Sequence, residues 1–162
     1  MKYKEKTMAE YYTSNRQVIN NLCINTGTTS TPVWSPLCCA SEITLNLETE
    51  SDDFYVWCDA IQRHLPTGIN AEVSTTLKVD AQSAGVQEIL TRIQTLLTSG
   101  TIATLQNIGI KFDLLTGYDQ NALTYQSIEF DANLSLDELG GEAEGSAEIG
   151  VTFALNGTGT AK

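Results

Sequence analysis

The sequence predicts a mainly β domain that carries a single helix, and three observations support this. Apolar residues alternate through Ile128, Phe130, Ala132, Leu134 and Leu136, and again through Ala147, Ile149, Val151, Phe153 and Leu155. Such a period of two marks strands with one buried and one exposed face. Helical spacing is clear in one place, where Val86, Ile89, Leu90, Ile93, Leu96 and Leu97 recur at three- and four-residue steps. Length sets the scale: 162 residues form one domain, 1–162, able to bury a core without disulfides or metal.

In chain order, residues 1–16 are polar and slightly basic with Tyr3, Tyr11 and Tyr12 interleaved. They read either as an arm ordered against a neighbour or as a frayed terminus. Val18, Ile19, Leu22 and Ile24 suggest a first strand ended by Thr26-Gly27, and Pro36 confines the segment between Trp34 and Leu37 to an edge or loop. Residues 42–48 alternate strongly and form the next strand. An excursion over 50–70 follows, with Glu50, Asp52 and Asp53, then Phe54, Tyr55 and Trp57, and a closing Leu65-Pro66-Thr67-Gly68 turn signal. Loops of this length within a domain are usually functional, and three aromatics there call for burial against another chain or the core.

Residues 73–79 are a strand rich in β-branched side chains. The helix over 83–99 has Ser83 as N-cap and Gly100 as its stop, with Gln87, Glu88, Arg92 and Gln94 on the polar face. One amphipathic helix among strands lays its apolar stripe on a sheet face. Ile108, Ile110, Phe112 and Leu114 alternate next, 117–121 is a polar turn, and a long strand over 122–136 leads through a turn at 137–141 to a last strand over 146–156.

Nine basic against twenty acidic residues give a net charge of −11, which argues against an ordinary nucleic-acid binder. Between Lys111 and Lys162 stand nine acids (Asp113, Asp119, Glu129, Asp131, Asp137, Glu138, Glu142, Glu144 and Glu148) and no Lys or Arg. A surface of one sign costs self-repulsion, so it serves a partner or an enclosed space, or else only solubility.

Catalytic and ligand motifs are absent from the sequence. His64 is the only histidine, and no phosphate loop, dinucleotide fingerprint, zinc-protease motif or calcium-loop spacing occurs. Paired acids such as Asp52-Asp53 and Asp137-Glu138 sit at turn positions where solvated carboxylates are ordinary. Cys23, Cys38, Cys39 and Cys58 lack zinc-site spacing and read as reduced, mostly buried side chains. No catalytic residue, metal or cofactor is expected. No apolar run has signal-peptide or membrane-spanning length, so no membrane role is expected and a cytoplasmic site of synthesis is.

The order of these parts resembles the tail tube (major tail) proteins of bacteriophages and related phage-like tail machines. The resemblance is carried by Val33-Trp34, the 42–48 strand, the excursion into Leu65-Pro66-Thr67-Gly68 and the helix over 83–99. The close from Gly141-Glu142-Ala143-Glu144 through Ile149-Gly150-Val151-Thr152-Phe153 to Asn156-Gly157 completes it, and it covers residues 17–157. It implies an antiparallel β-sandwich or partial barrel of two packed sheets flanked by the helix. It further implies homo-oligomeric rings of six that stack into a tube, with DNA passing through unbound and other tail proteins (baseplate or tail tip, terminator, sheath) as partners. The location implied is the virion tail, assembled in the host bacterial cytoplasm. An acidic or neutral wall would keep the polyanion mobile, with Glu48, Glu129, Asp131 and Glu148 as candidates for lining the channel. The excursion 50–70 and the arm 1–16 would then be contacts between rings, anchored by Phe54, Tyr55 and Trp57, although Trp57 could instead cap the core.

Two other readings share these features. A β-sandwich adhesin or binding module has the same strand content and acidity, but would ordinarily carry a secretion signal and often disulfides. An enzyme of unknown type lacks its residues.

Overall fold

Strand pairing organises the chain and leaves the helix to close one face. The computed structural model describes residues 14–37, 40–55 and 62–162. A single turn of helix, α1 (Asn15–Val18), precedes β1 (Ile19–Asn25), β2 (Trp34–Pro36), β3 (Ala40–Phe54) and β4 (Arg63–Lys78). Helix α2 (Ala84–Ser99) follows, then β5 (Ile108–Asp119), β6 (Ala122–Gly140) and β7 (Glu148–Ala161). All seven strands pair antiparallel in one sheet of order β2-β1-β5-β6-β7-β4-β3.

The fold is therefore mainly antiparallel β with one substantial helix, as the sequence predicts. Its two layers belong to one continuous, unclosed sheet. Residues 37–39 join β2 directly to β3, so the two outermost strands of the sheet are neighbours along the chain. The Leu37 N–H donates to the Leu22 carbonyl at 2.8 Å, which ties this connection to β1. The sheet curls into a partial barrel in which β1 and β3 flank a cleft of about 630 Å³, lined by Ile19, Leu22, Leu37 and Ile43 among others.

One apolar cluster fills the curl. Ile24 from β1, Ile110 and Phe112 from β5, Leu134 from β6, Val151 and Phe153 from β7 and Leu77 from β4 meet Val86, Ile89 and Ile93 of α2. Each of these strand residues lies on its period-two apolar face, so local alternation and core membership agree. Phe112 and Phe130 stack with centroids 5.8 Å apart. Gly159, where an added Cβ would lie 2.5 Å from the Phe130 ring, lets a bulge in β7 pass close over it. Cys23 is buried and its thiol donates to the Asn21 carbonyl at 3.2 Å, whereas Cys38, Cys39 and Cys58 lie outside the described residues.

Helix α2 starts and stops where the sequence places it. The Ser83 hydroxyl accepts from the Val86 N–H at 3.5 Å, and Gly100 adopts φ 68° while its N–H donates to the Leu96 carbonyl. Nothing lies within 4 Å of where a Gly100 Cβ would sit, so an alanine there meets only backbone strain. Gly100→Ala is expected to cost about 1 kcal/mol in urea unfolding with an unchanged m-value. On the polar face, Arg92 pairs with Glu88 at 2.8 Å and donates to the Thr104 carbonyl at 2.6 Å.

Several boundaries differ from expectation: Val18 belongs to α1, the last strand runs to Ala161, and three further changes have clear causes. The 117–121 turn shrinks to Gln120 and Asn121, both at positive φ (46° and 68°), as a two-residue hairpin turn requires. Strand β6 continues through Asp137 and Glu138, because β7 supplies a pairing partner to its polar end. The largest change is at 50–70. Ser51, Asp52, Asp53 and Phe54 pair with Pro66, Leu65, His64 and Arg63, so most of the excursion is a two-stranded ribbon. The Pro66 turn signal is absorbed by a register shift beside Glu50.

Candidate assembly and channel surfaces

Strands β3, β4, β7 and β6 lie side by side, and the face they turn away from the core is polar and built mostly from small side chains. Thr44, Ser74, Thr152 and Ser135 form one row across the four strands, and Asn46, Glu72, Ala154 and Asn133 form the next. Hydroxyls and amides link the rows internally. Thr152 donates to Asp137 at 2.9 Å, Ser74 and Thr152 oxygens are 3.3 Å apart, and Asn156 donates to Asn133 at 3.0 Å.

The four predicted wall acids all fall on this side of the sheet. Glu48 lies opposite Asn70, Asp131 between Gly109 and Asn156, Glu148 opposite Lys78, and Glu129 between Lys111 and Thr160. Their electrostatic settings differ. Lys78 binds Glu148 at 2.7 Å, and Lys162 approaches Glu129 at 3.6 Å. The one-signed run of sequence thus meets cations supplied from outside it. Glu48 and Asp131 are exposed. Where the four strands run together, Lys78 is the only basic residue, and its ammonium is held by Glu148.

Beyond this shared region the sheet forks. Pairing of β4 with β7 stops at Glu72 and Ala154, while β3 and β4 continue together to Phe54 and Arg63. The projecting ribbon has no third strand among the described residues, and its large apolar side chains are open to solvent, Ile69 at 71% and Leu47 at 66%. A two-stranded ribbon alone in water is marginal, and unpaired strand edges invite pairing with another chain. Phe54 and Tyr55 are exposed at its end, Asp53 pairs with His64, and Trp57 lies outside the described residues. Antiparallel order places the ends of β3, β5 and β7 and the start of β1 at the same end of the sheet.

Sequence reasoning placed the four acids on the outward side but missed two features of this part of the sheet. One is the long outer edge of β3, and the other is the fork between β4 and β7. Both are properties of strand order, to which composition and periodicity are blind. Among the described residues no three His, Cys, Asp or Glu side chains converge so as to hold a metal ion.

The described residues form an unclosed antiparallel sheet packed against one helix, with the β3–β4 ribbon projecting from it. This is the tail tube fold. The chain is similar to the SPP1 tail tube protein, with TM-score 0.57 and 15% identity over 90% of this chain and 78% of that one. A chain of the tail of an empty gene transfer agent particle, solved with C6 symmetry, matches with TM-score 0.56 and 13% identity over 93% and 99%. A chain of the sheath–tube complex of an extracellular contractile injection system (PVC) matches with TM-score 0.53 and 9% identity over 98% and 100%. No family model matches the sequence, and no curated protein sequence matches it significantly.

Proposed function

We propose that this protein is a structural, non-enzymatic tail tube subunit. Six copies close into a ring through their sheet edges, rings stack, and DNA passes down the channel during ejection. The virion tail is its place of work, and the other tail proteins at the ends of the tube, together with a sheath where one exists, are its partners. The observation that carries the proposal is the outer face of β3, β4, β7 and β6, which presents hydroxyls, amides and acids and has its one lysine engaged by Glu148. Cations on a wall would hold phosphates by counterion release, and this face offers almost none. A tail solved with sixfold symmetry in the same fold supports the ring.

The channel test follows from the ion pairs. Reversing Glu148 or Glu129 would set two lysines against each other, whereas Glu48 and Asp131 are open. The double variant Glu48→Lys, Asp131→Lys is expected to assemble normally yet retain double-stranded DNA at low salt. Each added lysine that contacts phosphate should steepen the salt dependence of retention by about 0.9 in log–log slope. Ejection at the wild-type rate from such tubes would sink the channel assignment.

A further inference from the structure

Asn156-Gly157 is the one place in the chain where glycine follows asparagine. The fold sets this pair at a break in the β6–β7 ladder. Asn156 stands opposite Asp131 and Thr160 opposite Glu129, so residues 157–159 face Phe130 alone and have no register partner among the described residues. Gly157 takes φ 71°, with nothing within 4 Å of where a Cβ would sit, and both Asn156 and Gly157 are exposed. The Asn156 amide is tied to β6 instead. Its Nδ2 donates to Asn133 Oδ1 at 3.0 Å, and its Oδ1 accepts from Asn133 Nδ2 at 3.4 Å. Asn133 is itself fixed, since the Asn107 N–H donates to the same Asn133 oxygen at 3.3 Å.

We propose that Asn156 is a site of spontaneous deamidation in the folded subunit, and that Asn133 is the positioning residue that sets its rate. The Gly157 nitrogen attacks Asn156 Cγ, the Cγ–Nδ2 bond breaks, and ammonia leaves with the proton that the Gly157 nitrogen gives up. Water then opens the succinimide. Addition at Cγ leaves aspartate, and addition at the Asn156 backbone carbonyl carbon leaves isoaspartate, whose chain runs through Cβ. Ring closure needs a following residue that does not crowd the attacking nitrogen and a backbone free to swing, and the glycine at the ladder break supplies both. The bonds to Asn133 oppose closure by holding the amide toward β6. The product carboxylate stands directly across from Asp131, and like charges opposed across a ladder weaken its pairing. The chemistry needs no tube. Only its consequence rests on the tube proposed above: each conversion adds an acid to the channel face, so ageing moves that wall further from DNA retention.

The test ages purified full-length protein, checked as folded by circular dichroism, in mildly alkaline buffer and follows each asparagine by peptide mass spectrometry. Every other asparagine precedes a residue with a Cβ, so Asn156 is expected to convert at least about tenfold faster than any of them, giving both aspartate and isoaspartate. Asn156→Gln should keep its amide, because the longer side chain cannot close the same five-membered ring. In Asn133→Ala with native circular dichroism, Asn156 is expected to convert about three- to tenfold faster, as release from a modest hydrogen-bonded restraint allows. Conversion no faster than at the other asparagines, or confined to protein unfolded in urea, would overturn the site. An unchanged or slower rate in Asn133→Ala would overturn the role of Asn133. All of these rates are read on the subunit, so a failure here is distinct from a failure to form tubes.

Discussion

Replacing residues 51–67 by an Asn-Gly turn is expected to yield a subunit that folds normally and forms no tubes. Glu50 and Gly68 are directly paired across the ribbon, so a two-residue turn joins them without disturbing the register below. The described residues removed are all exposed, and none belongs to the buried cluster. Stability by urea unfolding should therefore move by no more than about 0.5 kcal/mol, as for surface changes generally. Assembly has the opposite sensitivity. Phe54, Tyr55 and Leu65 leave with the ribbon, and buried aromatic anchors dominate interface energies. Losing even two anchors at about 2 kcal/mol each would raise the concentration needed for tubes by about a thousandfold. Sedimentation and electron microscopy would read this directly, and tubes of normal length at wild-type concentration would remove the ribbon from the assembly surface.

Phe153→Ala should do the reverse, costing about 3–5 kcal/mol of subunit stability. Phe153 is fully buried and sits opposite Val73 of β4 and Leu134 of β6, in the middle of the four-strand region. Neighbours drawn from separate strands of one ladder cannot collapse into the void without breaking register, so the cost belongs near the upper end of that range. Domains of this size are stable by only about 5–15 kcal/mol, so the variant should unfold at far lower urea or fail to accumulate. A loss below about 1 kcal/mol would mean that Phe153 is not enclosed as described.

Much of the fold was legible because its signals are local. Period-two alternation in 128–136 and 148–155 separated the inward from the outward side of the strands, with Glu129, Asp131 and Glu148 outward; of the alternating apolar residues only Ala147, exposed and before β7, departs from it. Ser83 and Gly100 marked the ends of α2 because a cap and a left-handed stop act within one turn of helix. The ribbon was less legible. Consecutive acids, Pro66 and Gly68 resemble turn chemistry, yet β3 supplies a partner that carries them as strand, with a register shift at the proline. The charge of this outer face was legible in sign but not in balance, since Lys78 reaches Glu148 from 70 residues away.

By itself, then, the sequence determined a mainly β domain, one helix with both its ends, the face on which each strand residue stands, and a surface poor in cations. These depend on neighbours two to four residues apart, and such spacing is written in the chain. Only the tertiary structure decided that the described strands form one open sheet, that β3 stands last in its order, and that the excursion is a paired ribbon projecting past the core. It also decided which acids of the one-signed stretch meet lysines. Those outcomes depend on which distant strands pair and in what register, a choice made by enclosing Phe112, Phe153 and their neighbours in a single core.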